Sequence, residues 1–327
     1  MATTTLHIVE VDPHDDHLLR AFWDNEQVAQ RAERRDPVLR TYDALTATMR
    51  DPSPYYGRVL LAAVDGDELI GGVDVSWPLQ DNTHLGEIEV NVRPDRWRQG
   101  IGRLLHETAI GRLRAQSRTT VIGEACESPD GDGPAVPFAT ALGYASSHLE
   151  HHLVLALPAD VEELPPDAAY TVVTWAERCP DEHVAAYVAM RNQMETDVPI
   201  GDLELEPVLL DEERVRVSEA RTARSYQRLV AAALHDAGGA MVGYSELFLP
   251  HGETYAQQDD TLVMPDHRGS RLGLRLKQAN LALLHRDHPE RKLLHTWTAP
   301  GNAAMIRTNE RFGFRVVERM HEMQRKI

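Results

Sequence analysis

The hydrophobic positions of this 327-residue chain change period several times, and the changes come in the same order twice. Thr4-Thr-Leu-His-Ile-Val9 and Tyr170-Thr-Val-Val-Thr-Trp175 alternate as half-buried strands do. Helical patterns follow, over residues 15–31 and 38–49 in the first round and 181–194 and 211–224 in the second. Two apolar runs spaced as a hairpin come next, then a third strand that ends on Val-x-Pro. Beyond a polar loop the helical period returns. Ile101, Leu104, Leu105, Thr108 and Leu113 fall on one stripe, and so do Leu272, Leu276, Ala279 and Leu283. A strand (120–125; 292–297), a helix closing on Leu142-Gly-Tyr144 or Phe312-Gly-Phe314, and a last strand complete each round. The expected class is α/β, with one mixed, mostly antiparallel sheet flanked by helices in each half.

The two rounds are copies of one domain. Val92-Arg-Pro-Asp95 returns as Val263-Met-Pro-Asp266, an offset of 171 (263 less 92) that also carries Gly72 onto Gly243 and Gly102 onto Gly273. Between them, residues 158–169 are rich in Pro, Asp, Glu and Ala, as a linker is. The expected organisation is a first domain over 1–157, the linker, and a second domain over 170–327.

Composition narrows the partners. The formal charge of -17, from 34 basic and 51 acidic side chains, repels a phosphate backbone and disfavours nucleic acid. It would steer a cationic small molecule inward. Two distant cysteines, Cys126 and Cys179, offer neither a CxxC pair nor a disulfide framework, and a reducing compartment fits. The scattered histidines lack ligand spacing, so no metal is expected. No leader pattern opens the sequence and no apolar run nears the roughly 18 residues of a membrane span. A cytoplasmic protein without membrane or nucleic-acid partners is expected, as a monomer or homodimer.

One loop carries candidate chemistry. Arg96-Trp-Arg-Gln-Gly-Ile-Gly102 joins a strand to a helix start, and Arg268-Gly-Ser-Arg-Leu-Gly273 stands at the same place in the second copy. Unpaired backbone N–H groups and the positive end of a helix dipole meet there, and glycines admit a pyrophosphate close to the chain. A dinucleotide site is disfavoured because the third glycine and the following acidic residue are missing, and a Walker loop lacks its Gly-Lys-Ser/Thr.

Strand, Val-x-Pro, basic loop ending Gly-x-Gly, long helix, strand and short helix closing on Leu-Gly-Tyr together resemble the GNAT superfamily of acetyltransferases, once per copy. Met194-Glu-Thr-Asp-Val-Pro-Ile-Gly-Asp-Leu203, Asp260-Thr-Leu-Val263 and Asn302-Ala-Ala-Met-Ile-Arg-Thr-Asn309 further resemble the second half of tandem GNAT proteins common in actinobacteria. Mycothiol synthase and some antibiotic-modifying enzymes share that plan. The resemblance implies acetyl-CoA as co-substrate. Backbone groups of Val90, Asn91 and Val92 would pair with its pantetheine arm, and Arg98, Gln99, Gly100, Ile101, Gly102 and Arg103 would cradle its pyrophosphate. Thr261, Leu262 and Val263, then Arg268, Gly269, Ser270, Arg271, Leu272, Gly273 and Leu274, would do the same in the second copy, with Asn302 and Asn309 on the closing helix. The chain departs from the family at Trp97, at Arg271, and at Ala139 and Asn309, where a thiolate-protonating Tyr often stands.

Attack on a thioester requires a neutral amine, whose free pKa lies near 10.4, so a carboxylate must take its proton. Strand alternation puts Glu87 and Glu89 on one face of the strand before the first loop, and Gln258 and Asp260 are their offset equivalents. Glu89, Glu87 and Asp260 are the candidate bases. The acidic run Glu195, Asp197, Asp202, Glu204 and Glu206 reads either as a wall for a cationic acceptor or as a solvated loop. Three functions stay open: an N-acetyltransferase for a small amine, a non-catalytic acyl-CoA-binding or scaffolding protein, and a protein N-acetyltransferase.

Overall fold

Side-chain oxygens of Asp15, Thr41 and Asp211 each accept a backbone N–H three residues on, and so start three of the helices. The computed structural model describes residues 6–32, 34–161 and 164–327; Thr4 and Thr5 of the expected first strand, and Glu162 and Glu163 of the expected linker, lie outside them. The first half contains β1 (His7–Glu10), α1 (Asp16–Arg31), α2 (Tyr42–Arg50), β2 (Tyr56–Asp65), β3 (Glu68–Pro78), β4 (Leu85–Val92), α3 (Ile101–Ala115), β5 (Thr120–Glu127), α4 (Ala135–Ala141) and β6 (Ala145–Ala156). The second contains β7 (Tyr170–Ala176), α5 (Val184–Asp197), α6 (Glu212–Thr222), β8 (Tyr226–His235), β9 (Ala240–Pro250), β10 (Tyr255–Val263), α7 (Leu272–Asp287), β11 (Leu293–Thr298), α8 (Ala303–Phe312) and β12 (Arg315–Lys326). Helix α2 starts four residues later than its apolar period suggests, because Thr41 supplies the cap.

Two compact units result. The first comprises Met1–Glu150, Ile200–Glu206 and Val317–Ile327, and the second His151–Pro199 and Pro207–Val316. In the first, strands run in the order β1-β2-β3-β4-β5-β12, followed by the opening half of β6. Its pairs from β1 to β4 are antiparallel, β4 and β5 are parallel, and β12 runs antiparallel to β5. In the second unit the closing half of β6 pairs with β11, and β10, β9, β8 and β7 follow. Here β10 and β11 form the parallel pair.

Strand alternation sorts each core into two layers. On β2, Val59, Leu61 and Ala63 pack with Ile101, Leu105, Ala109 and Leu113 of α3, while Leu60 and Ala62 pack with Leu19 and Phe22 of α1. On β8, Ala231 and Ala233 meet Leu272 and Leu276 of α7, whereas Val230 and Ala232 meet Tyr187 and Met190 of α5. The buried stripe of α3 excludes Leu104, which is 36% exposed, and takes Ala109 and Ile110 in its place.

Candidate active site

The loops before α3 and α7 share one backbone shape despite different sequences. Arg98 and Gly100 have φ of 61° and 83°, and their offset partners Gly269 and Arg271 have 84° and 60°. Two left-handed residues are thus required in each loop, and each copy supplies glycine at only one of them. An arginine in that conformation costs about 1–2 kcal/mol. Neither helix has a side-chain cap, so the first N–H groups of each are presented at the loop. The carbonyl that ends each strand is tied down the same way: Trp97 Nε1 donates to Val92 O at 2.7 Å, and Arg268 Nε donates to Val263 O at 2.9 Å. Trp97 therefore does with an indole what Arg268 does with a guanidinium.

Around these loops, Gln99 Nε2 reaches Asp95 O at 3.4 Å, and Ser270 Oγ donates to His267 O at 2.5 Å. Ile101, Leu272, Leu262 and Leu274 are core residues whose side chains anchor the loop ends. A Cβ on Gly102 would lie 3.0 Å from the Phe138 ring, while one on Gly273 would meet only Thr261 and Val263 at ordinary contact. Arg103 borders a surface cavity of about 250 Å³ with His106, Arg114 and Arg325.

Beside each loop the parallel strands part. Pairing of β4 with β5 ends at Glu87 opposite Ile122, although β4 runs on to Val92 and β5 to Glu127. Pairing of β10 with β11 ends at Gln257 opposite His295, and β10 runs on to Val263. Val90, Asn91 and Val92, like Thr261, Leu262 and Val263, stand on the diverging stretch. The copies differ just there: β4 pairs in even register with β3, whereas β10 carries a bulge between Gln258 and Thr261.

The candidate bases sit in unlike surroundings. Glu89 is exposed; its Oε1 accepts from Gln30 Nε2 at 2.8 Å and from Asn91 Nδ2 at 2.9 Å. Glu87 accepts from Ser76 Oγ at 3.2 Å, and burial raises its pKa above the carboxylate norm. Asp260 accepts from Tyr244 Oη at 2.7 Å and lies 3.6 Å from Arg191, which also pairs with the fully buried Glu246. Burial and Glu246 push the Asp260 pKa up, while Arg191 pulls it down. Its carboxylate is held inside an ion-pair network. Gln258 is buried and gives its amide to Ser245 Oγ and Glu246 O.

Sequence reasoning missed the rest of the first unit's acidic face. Glu124 on β5 and Glu322 on β12 are direct cross-strand partners, an unfavourable pairing of like charges. Glu124 is crowded by neighbouring strands although its side chain keeps an open face; burial, then Glu89 and Glu322, raise its pKa to about 7. Burial and Glu322 do the same for Glu150, also to about 7. Burial and Glu87 raise Glu322. The signal was absent from local sequence because β12 comes from the far end of the chain.

The acidic run divides. Ile200–Glu206 belongs to the first unit, where Asp202 N donates to Ser147 O, Glu204 N to Gln324 Oε1, and Thr120 Oγ1 to Glu204 at 3.0 Å. Asn82 and Glu206 exchange two hydrogen bonds. Asp197 pairs with Arg268 at 2.6 Å in the second unit. On α8, Asn302 caps the helix by accepting from Met305 N. Asn309 is fully buried; its Oδ1 accepts from Lys277 Nζ at 2.8 Å and its Nδ2 donates to Thr298 Oγ1. At the offset equivalent of Lys277, His106 bonds Tyr144 Oη at 3.0 Å. Burial of His106, with Arg325 and Arg103 nearby, lowers its pKa to about 4.

Among the described residues no cluster of His, Cys, Asp or Glu could hold a metal, and no helix is long and apolar enough to cross a membrane.

Residues 16–144 match the Acetyltransferase (GNAT) family. A tandem GNAT protein from the clavulanic acid biosynthesis pathway superposes with a TM-score of 0.83 at 27% identity, over 98% of each chain. The GCN5-related N-acetyltransferase of Sphaerobacter thermophilus gives 0.72 at 15% identity, over 98% of this chain and 95% of that one. The N-myristoyltransferase of Saccharomyces cerevisiae gives 0.59 at 9%, over 99% of this chain and 80% of that one. The last two share the fold. Among curated proteins none matches the sequence. A mixed sheet with a diverging parallel pair, a basic loop and an uncapped helix, occurring twice, defines a tandem acyltransferase fold. The first half of the chain, over residues 16–144, carries an acetyltransferase domain of the GNAT family, and the full chain shares the fold of a tandem GNAT protein.

Proposed function

We propose that the chain moves an acetyl group from acetyl-CoA to the amine of a small cationic molecule, and that the first unit does the chemistry. The observation that carries this reading is the carboxylate face beside the diverging strands β4 and β5: Glu87, Glu89, Glu124, Glu150 and Glu322. Like charges directly opposite one another destabilise a sheet, so their retention is understandable if an occupant neutralises them. In the second unit the corresponding acid is already occupied by Arg191 and Tyr244.

Acetyl-CoA would supply the thioester. Its pyrophosphate suits the N–H groups at the start of α3 and Arg98 and Arg103, and its pantetheine suits the stretch of β4 at Val90, Asn91 and Val92 that β5 does not pair. The acidic face holds the acceptor as an ammonium and orients it. Glu89, whose Oε2 is left to the cleft by donors gathered on Oε1, takes the proton and frees the amine lone pair. The N–C bond forms as the C–S bond breaks, and the second proton, shed by the new amide nitrogen, passes through water to the departing thiolate. A thiol pKa near 8.5 makes it a workable leaving group without the missing Tyr. The two free cysteines and the acidic charge suit the cytoplasm.

Glu89→Gln and Asp260→Asn, assayed for free thiol release with acetyl-CoA and a diamine, test the assignment. Glu89→Gln should lose at least a hundredfold in kcat while Asp260→Asn keeps most of it. The opposite order would place the chemistry in the second unit.

A further inference from the structure

Gln30, near the end of α1, reaches the proposed base from outside β4. Its Nε2 donates to Glu89 Oε1 at 2.8 Å and to Asn91 Oδ1 at 3.0 Å. Its Oε1 accepts from Arg34 Nη1 at 2.5 Å. Arg34 in turn grips Glu318 of β12 with both ends of its guanidinium, at 2.7 and 2.8 Å, and Glu318 is buried. The chain of contacts therefore runs from β12 through α1 to β4, all within the first unit.

This arrangement fixes the amide without ambiguity. Arg34 can only donate, so the carbonyl oxygen of Gln30 must face it; the Glu89 carboxylate can only accept, so the NH₂ must face there. Neither end can be flipped without setting donor against donor and acceptor against acceptor. The Arg34 charge also polarises the amide and strengthens the N–H that reaches Glu89. Asn91 Nδ2 donates to the same Oε1 at 2.9 Å. Both donors converge on one oxygen, and the other oxygen is thereby aimed away from them.

We infer that Gln30 is a positioning residue for the acyl transfer, holding the Glu89 carboxylate so that Oε2 is the atom offered to the amine, with Arg34 and Glu318 locking Gln30 in turn. This rests on Glu89 being the base. Sequence patterning gives no hint of it, since a glutamine on a polar helix face reads as solvated surface.

The test is a double-mutant cycle of Gln30→Met and Glu89→Gln, with kcat and both KM values measured by thiol release. A hydrogen bond to a charged group lost from the transition state corresponds to a roughly ten- to hundredfold fall in kcat for Gln30→Met. KM for acetyl-CoA should stay within about twofold. In the Glu89→Gln background Gln30→Met should change kcat less than about twofold, a coupling that a merely structural glutamine would not show. Gln30→Glu keeps the partner of Arg34 but loses the N–H donors, and should fall as far as Gln30→Met. Equal losses from Gln30→Met in both backgrounds, or full activity of Gln30→Glu, would overturn the positioning role. Full activity of Glu89→Gln alone would instead remove the base assignment itself, and the two failures are told apart by that single variant.

Discussion

Lys277 offers a test of the second unit's interior. It is 4% exposed, and among the described residues its Nζ donates to Asn309 Oδ1 at 2.8 Å alone. Burial lowers its pKa from 10.5 to about 7. At about 1.4 kcal/mol per pH unit, that gap corresponds to roughly 5 kcal/mol of destabilisation below pH 7. Between pH 7 and 10.5 the unfolded chain binds the proton and the folded one does not. Wild-type stability therefore rises with pH through this window, and the penalty is gone above it. Lys277→Met removes the penalty but leaves the Asn309 oxygen buried and unpartnered, at a cost of about 1–3 kcal/mol. Lys277→Met should then be more stable than wild type by about 2–4 kcal/mol at pH 6.5. That advantage should vanish or reverse by about 1–3 kcal/mol at pH 10.5. Urea unfolding of both proteins at pH 6.5, 8 and 10.5, followed by tryptophan fluorescence, gives the difference directly. A difference that does not change with pH would refute the reasoning.

Two further expectations concern the loop and the cleft. Replacing Arg98 or Arg271 with Gly relieves a left-handed arginine, so each variant should gain up to about 1 kcal/mol in unfolding free energy, read by thermal melts without ligand. A loss from either would mean the loop draws stability from the arginine side chain. Because burial and mutual repulsion raise Glu124 and Glu150 to about 7, both are neutral below that pH and charged above it. KM for a diamine acceptor should therefore rise as pH falls from 8 to 6, while KM for acetyl-CoA moves little. Initial rates across that range decide it, and a diamine KM that falls or stays level would contradict the proposed role of these acids.

The fold was readable because its signals are local and doubled. The period of α3 and α7, the Val-x-Pro before each loop and the glycine after it recur at one offset, so a weak motif in either copy supports the other. The departures at Trp97 and Arg271 keep the backbone shape and the strand-end hydrogen bond of the loop. Trp97 repeats the hydrogen bond of Arg268, and Arg271 adopts the left-handed turn that Gly100 adopts in the first copy. Side-chain chemistry alone hides both equivalences, since they are made by backbone shape and by a single donor hydrogen. The acidic face was less legible. Glu89 and Glu87 follow from strand alternation, but Glu322 arrives on β12 and the segment Ile200–Glu206 from between α5 and α6. No periodicity encodes such long-range neighbours. Asp260 shows the converse: the same position in the repeat holds an acid, and the arginine that engages it lies on α5, far off in sequence.

The most direct test of acyl transfer in the first unit is the product itself. Purified protein is given acetyl-CoA and a diamine at pH 8, with thiol release and the mass of the amine followed together, for wild type and Glu89→Gln. The account predicts one thiol for each acetyl group gained by the diamine in wild type, and loss of both signals in Glu89→Gln. Thiol release without an acetylated amine, or neither signal in wild type, would contradict it.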